Sequence, residues 1–160
     1  MKTVYLSLGS NVGDRAANLA RAVAALATHG VRVTRVSSLY ETEPVEMREQ
    51  AWFLNCVVEA ETELMPRQLM RRLLGIERGL GRKRRVPKGP RVIDMDILLF
   101  GSSVVRAEEL EIPHPRMAER RFVLVPLAEI AAGVVHPVLK KSSAELLAET
   151  SDRSEVRLFS

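Results

Sequence analysis

Apolar residues along the chain recur with two different periods, and each change of period marks an element. Residues 4–8 read as a short first strand, closed by Gly9-Ser10-Asn11. Asp14 is placed to cap a helix whose stripe of Leu19, Val23 and Leu26 recurs every three or four residues, and Gly30 ends it. Residues 31–40 are rich in β-branched side chains and predict a second strand. A polar loop over 41–51 separates it from a third strand over 52–61. Pro66 then opens a helix at the first-turn position, where its missing N–H costs nothing. Leu69, Leu73, Ile76 and Leu80 form the stripe of that helix, and Gly79 with Gly81 marks its end.

A basic loop follows, then a strand over 92–100. The later elements are shorter: a turn at Gly101-Ser102, a short strand at Val104-Val105, helical turns near Met117 and Glu129, a helix over 142–148, and an edge strand over 155–159. The leading order β-α-β-β-α-β predicts an α+β, ferredoxin-like core, a mostly antiparallel sheet with helices packed on one face. A chain of 160 residues suits one domain, here 1–160, because a second would leave each half little core. Cys56 is the only cysteine and sits in an apolar run, so it reads as a buried small hydrophobe. There is no run of about 18 apolar residues, and the expected setting is the cytoplasm, without a membrane partner.

Charge sharpens this picture. The formal net charge is +4, yet Arg82, Lys83, Arg84, Arg85, Lys88 and Arg91 fall within ten residues containing no acidic one. Without these six the rest of the chain carries −2. So local a basic cluster suits a small polyanion better than a long nucleic acid.

The most informative segment runs from Arg91 to Phe100. Alternation puts Ile93, Met95, Ile97 and Leu99 on one side of a strand, with Asp94 and Asp96 together on the other, roughly 6–7 Å apart. Two like charges on one face of an apolar strand call for cations to neutralise them. Hard carboxylate oxygens suit magnesium, which completes its shell with water and phosphate oxygens. With a basic loop directly upstream, the pattern predicts a site for a nucleoside triphosphate. No Walker-type glycine-lysine motif is present, and Gly9-Ser10-Asn11-Val12-Gly13 reads as a structural turn. On the strand after Trp52, Phe53 and Asn55 share a face, a ring and a carboxamide suited to a flat heterocycle, with Phe122 a candidate for the opposite wall. His114, between two prolines, is a candidate for a phosphate or substrate oxygen.

Together these residues resemble the 6-hydroxymethyl-7,8-dihydropterin pyrophosphokinase family of folate synthesis. The likeness rests on Gly89-Pro90-Arg91-Val92-Ile93-Asp94-Met95-Asp96-Ile97-Leu98, on Leu8-Gly9-Ser10-Asn11, Thr42-Glu43-Pro44 and Phe53-Leu54-Asn55, and on Ile112-Pro113-His114-Pro115-Arg116. The run Arg120-Arg121-Phe122-Val123-Leu124-Val125-Pro126-Leu127 extends it. The resemblance implies transfer of the terminal diphosphate of ATP to the pterin hydroxymethyl oxygen, by in-line attack on the β-phosphorus with release of AMP. It implies two Mg2+ ions on Asp94 and Asp96, and a pterin held between Phe53 and Phe122. Asn55 with Thr42, Pro44 and Val45 would read the polar edge of the pterin. Glu77 and Ile97 would line the nucleotide side, and Arg82, Arg84, Arg91, His114 and Arg120 would meet the phosphates. Arg82 and Arg91 join the two aspartates as catalytic candidates. Two positions depart from the family pattern: Val86-Pro87-Lys88 stands where some members carry tryptophan, and Glu46 where glycine is frequent. The competing readings are an RNA-binding ferredoxin-like domain, opposed by an aromatic content of 4%, and a nucleotide transferase with another acceptor. ATP and the pterin are the expected partners, with no nucleic acid and no obligate protein partner.

Overall fold

The computed structural model describes residues 1–44, 49–81 and 90–160. The central strand β1 (Lys2–Ser10) is buried from Val4 onward, as expected of a strand flanked on both edges and covered on both faces. It pairs antiparallel with β4 (Phe53–Thr62) on one side and with β5 (Asp94–Phe100) on the other. Beyond β4 lie β2 (Val31–Val36) and β3 (Tyr40–Thr42), both antiparallel to it, and β8 (Val156–Leu158) pairs with β3 at the edge. The six-stranded sheet thus runs β5-β1-β4-β3-β8, with β2 also on β4. A separate two-stranded piece joins β6 (Val105–Arg106) and β7 (Glu111–Ile112).

Helices α1 (Arg15–Ala27) and α2 (Pro66–Gly79) start where the sequence places them. The Asp14 carboxylate accepts the Ala17 N–H at 3.1 Å, and Pro66 occupies the first turn of α2. Their apolar stripes pack on one side of the sheet. Leu19, Ala22 and Leu26 from α1, and Leu69, Leu73 and Ile76 from α2, meet Leu6, Leu8, Leu54, Cys56, Met95 and Ile97 there. Each such buried aliphatic side chain contributes about 1.5–3 kcal/mol.

Five expectations are corrected. The strand expected over 31–40 is two strands, because the Ser37 hydroxyl, rather than a main-chain carbonyl, accepts the Val57 N–H at 2.9 Å and interrupts the ladder. As a result the loop expected from Glu41 begins later, since Glu41 and Thr42 belong to β3. Helices do not occupy a single face: α3 (Arg121–Ala131) packs Val123, Leu127 and Ile130 against Tyr5, Val57, Leu98 and Leu99 on the opposite side. The sequence predicts only helical turns near Glu129 here, and the helix that forms carries Pro126 inside it. A proline there costs about 3 kcal/mol, which burial of Val123, Leu124, Leu127 and Ile130 outweighs. Finally, Leu99 does not share a face with Ile97. The register steps from Leu6↔Ile97 to Tyr5↔Leu99, so Leu98 is an extra residue and the side chains beyond it change sides.

The remaining elements are a short 3-10 turn at Met117–Glu119 and α4 (Ser143–Glu149), capped by Ser142. Cys56 is buried, and burial pushes its thiol up to about 12. No helix among the described residues is long and apolar enough to cross a membrane.

Candidate active site

The α3 side of the sheet is only partly covered by helix. Where α3 begins, the side chains of β1, β3, β4 and β5 that share this face open into a cleft of about 470 Å3. Its floor is β1. Gly9 lies directly opposite Asn55 on β4 and Asp94 on β5, the meeting point of the two strands that carry the candidate groups. A Cβ at Gly9 would fall 2.5 Å from the Asn55 Oδ1 and 3.4 Å from the Phe53 ring, so only glycine leaves that carboxamide in place. The Asn55 side chain is 4% exposed and donates from Nδ2 to the Thr42 hydroxyl at 2.5 Å. Phe53 and Phe122 both line this cleft, as do Thr42, Glu43, Pro44 and Ser7. The Arg120 guanidinium stands 5.5 Å from the centre of the Phe122 ring.

A second, larger cleft of about 990 Å3 adjoins the first. Asp94 and Asp96 line both. On the second side they are joined by Glu77, Ile97, His114 and Pro115, by apolar residues of α2, and by Glu108, Glu109 and Glu111. Glu77 is 2% exposed, and its Oε2 accepts the Met95 N–H at 2.7 Å, so α2 holds β5 between the two aspartates. The His114 main chain is fixed by a 2.9 Å bond from its N–H to the Leu98 carbonyl. Its Nδ1 accepts the Arg116 N–H at 3.1 Å, which leaves Nε2 to carry the proton. Burial, helped by the positive charges of Arg120 and Arg116, pulls the imidazole down to about 4 against the opposing pull of Asp94 and Glu111.

The sequence-predicted residues therefore divide. Thr42, Pro44, Phe53, Asn55 and Phe122 come together in the first cleft, and Glu77, Ile97 and His114 in the second. Arg120, expected on the phosphate side, lines the first cleft instead, because the residue before α3 sits over the β1–β5 face. Arg91 lines neither cleft, and its Nη1 donates to the Pro90 carbonyl at 3.3 Å. Val45, Arg82 and Arg84, with Glu46 and Lys88, lie outside the described residues.

Two groups escaped the sequence reading. The sequence pattern places Gly9 in a closing turn, but it is a strand residue at the centre of the site. Asn11, 5% exposed, exchanges two bonds with Arg91: the Arg91 N–H reaches its Oδ1 at 2.7 Å, and its own N–H reaches the Arg91 carbonyl at 2.9 Å. Its Nδ2 donates to Gln50 Oε1 at 2.8 Å and to the Ala51 carbonyl at 3.1 Å. One amide thus ties the approach to Phe53 to the approach to Asp94. Nothing local could signal this, because the partners lie 39 to 80 residues away.

Among the described residues, no group of three or more His, Cys, Asp or Glu gathers to hold a metal ion by protein ligands alone. Two carboxylates on the wall shared by two clefts still fit magnesium, which takes few protein oxygens and fills its shell from phosphate and water.

Known proteins similar to this chain point to one family. A pyrophosphokinase of Bacillus subtilis (strain 168), named for 2-amino-4-hydroxy-6-hydroxymethyldihydropteridine, is 53% identical over 131 residues, covering 81% of this chain and 78% of that protein. One of the same name from Aquifex aeolicus (strain VF5) is 40% identical over 151 residues, 94% of each. A solved Plasmodium falciparum HPPK-DHPS structure matches with a TM-score of 0.72 at 16% identity. That match covers 93% of this chain but 43% of the longer one, and it speaks to the fold alone. The model of the 7,8-dihydro-6-hydroxymethylpterin-pyrophosphokinase (HPPK) family matches residues 5–132, a span holding every residue that lines the two clefts, and the chain belongs to that family.

Proposed function

We propose that this chain carries out the reaction of its family: transfer of diphosphate from ATP to the hydroxymethyl oxygen of 6-hydroxymethyl-7,8-dihydropterin, with release of AMP, in folate biosynthesis. The observation that carries the reading is the placement of Asp94 and Asp96 on the wall common to two clefts. The first cleft offers two aromatic rings and a hydrogen-bonded carboxamide, the equipment for stacking on a flat heterocycle and reading its amide-like edge. The second has the room for a nucleotide.

Phe53 and Phe122 hold the pterin between them, and the Asn55 carboxamide, fixed by Thr42, sets its orientation. Asp94 and Asp96 would hold two Mg2+ ions. Magnesium bound there would offset phosphate charge and ease loss of the hydroxyl proton. Glu77 keeps β5 in register, so both carboxylates face the junction. His114, neutral near pH 7, presents an Nε2–H on the nucleotide side without adding a charge that would compete with magnesium. Arg91, anchored through its main chain by Asn11, and Arg82 and Arg84 of the basic stretch would complete the phosphate ligands, with Arg120 reaching in from the pterin side. The in-line attack makes one P–O bond at the β-phosphorus and breaks the bond to AMP, with no covalent enzyme intermediate. The β1-α1-β2-β4-α2-β5 core is taken as ferredoxin-like, carrying α3, α4 and β8 as additions, and the chain as one cytoplasmic domain over 1–160.

Chromatography of products from ATP and hydroxymethyldihydropterin tests the reading. AMP and the pterin diphosphate should both form, and both should vanish when magnesium is chelated. ADP as the nucleotide product, or product formation that survives chelation, would overturn it.

A further inference from the structure

The family model ends at residue 132, yet residues well beyond it touch both walls of the first cleft. One wall is β3 with Glu43 and Pro44, and the other is the start of α3 with Arg120 and Phe122. Between them runs the segment from Asp152 to Leu158. At the α3 end, Asp152 Oδ2 accepts the Arg121 N–H at 2.8 Å, and the Arg121 Nη1 donates to the Ser154 carbonyl at 2.8 Å. The other Asp152 oxygen is held by Ser154, from its N–H at 2.9 Å and its hydroxyl at 2.6 Å. At the β3 end, Glu155 and Glu43 bond twice: the Glu43 N–H to the Glu155 carbonyl at 3.2 Å, and the Glu155 N–H to the Glu43 carboxylate at 2.8 Å. β8 then pairs Val156 with Thr42, the residue that orients Asn55. Arg157 pins this stretch further, 3.0 Å from Glu41 and 4.6 Å from the centre of the Trp52 ring.

From this bridging we infer that the segment Asp152–Leu158 is a strap that sets the gap between the two walls of the pterin cleft, with Asp152 as its positioning residue. A far rung already joins the same walls, where the Glu129 carboxylate accepts from Ser38 and Tyr40, so the strap closes the end next to the cleft. Two points held on α3 and β3 fix the spacing of Phe122 from Thr42 and Asn55, which a planar ring between Phe53 and Phe122 needs to within a fraction of an ångström. Burial disfavours the charge on Asp152, but hydrogen bonds from Ser154 and the Arg121 N–H, with the Arg121 guanidinium, outweigh it and hold its carboxyl below the usual range. The bond to Arg121 is therefore charge-assisted at neutral pH. The strap's role rests on the first cleft being the pterin site.

The test is steady-state kinetics on the full chain carrying Asp152→Ala or Arg157→Ala. Asp152→Ala should raise the KM for hydroxymethyldihydropterin by roughly ten- to hundredfold while the KM for ATP stays within about twofold. Asp152→Asn keeps one acceptor for the Arg121 N–H and should recover most of that loss. Arg157→Ala removes an exposed side chain and should stay folded, with a pterin KM about threefold higher. If Asp152→Ala gives no folded protein, the Arg157→Ala ratio decides. A parallel rise in both KM values, or a pterin KM within twofold of wild type in folded Asp152→Ala or, failing that variant, in Arg157→Ala, overturns the strap and leaves the proposed activity intact. Wild-type protein that neither binds the pterin nor forms AMP overturns the activity itself, and the strap's role with it.

Discussion

The two clefts share Asp94 and Asp96 and differ in nearly everything else. The first is built from short, fixed bonds: Asn55 to Thr42, Gly9 packed beneath the carboxamide, and β3 held by both β4 and β8. Under the proposed function it would recognise its ligand by shape and hydrogen bonding. Among the described residues lining the second, four are glutamates, Glu77, Glu108, Glu109 and Glu111, which with the two aspartates face a single histidine that burial keeps neutral. Glu109 is already paired with Arg67 at 2.7 Å, and the remaining carboxylates would oppose a triphosphate unless cations join them. The difference teaches that the first cleft, proposed for the pterin, is shaped by bonds within the described fold, whereas the second, proposed for the nucleotide, would draw on cations such as magnesium and the basic residues of the stretch 82–91.

Substitutions can break this contrast at graded levels. Asp94→Ala or Asp96→Ala strikes the shared wall and should lower kcat/KM on the order of 10²–10³-fold or more, with an unchanged far-UV circular dichroism spectrum. Turnover near normal in both variants would remove the basis for a metal junction. Gly9→Ala strikes the first cleft alone. Its Cβ meets the Asn55 carboxamide, so the pterin KM should rise about tenfold or more while binding of an ATP analogue in calorimetry holds. Glu77→Ala strikes the second side by leaving the buried Met95 N–H without its acceptor, at a cost of roughly 1–3 kcal/mol in chemical denaturation. Glu77→Gln keeps an oxygen for that bond and should lose less. The smallest effect belongs to His114. Its folded value of about 4 lies below the ordinary 6.5, so the unfolded chain takes up a proton first as pH falls. Stability is therefore lost between pH 6.5 and 4 and is restored above that window. His114→Gln should show a smaller fall in Tm from pH 7 to pH 5 than the wild type.

Much of the site was legible in the sequence because β-strand geometry is local. Period-two alternation alone put Asp94 with Asp96, and Phe53 with Asn55, on common faces, and the structure brings both pairs to one cleft. Caps and breakers were equally readable: Asp14 at α1, Pro66 at α2, and Gly30 at φ +82. Helix α3 was legible only as turns, since its length is fixed by packing of Val123, Leu127 and Ile130 on the sheet, which outweighs the cost of Pro126 inside it. The face of Leu99 was also misread, because a bulge at Leu98 is set by pairing with β1 and leaves no mark in the local pattern.

What this sequence determined alone is therefore the set of chemical groups and the side of each strand from which they project, for those follow from the pleat and from capping over a few residues. The tertiary structure decided which of those sides meet. It brought Gly9 beneath Asn55, gathered Gln50 and Arg91 around Asn11, and stretched residues 152–158 between α3 and β3. These contacts join residues far apart in the chain, and their energies depend on strand order and packing that no local period encodes.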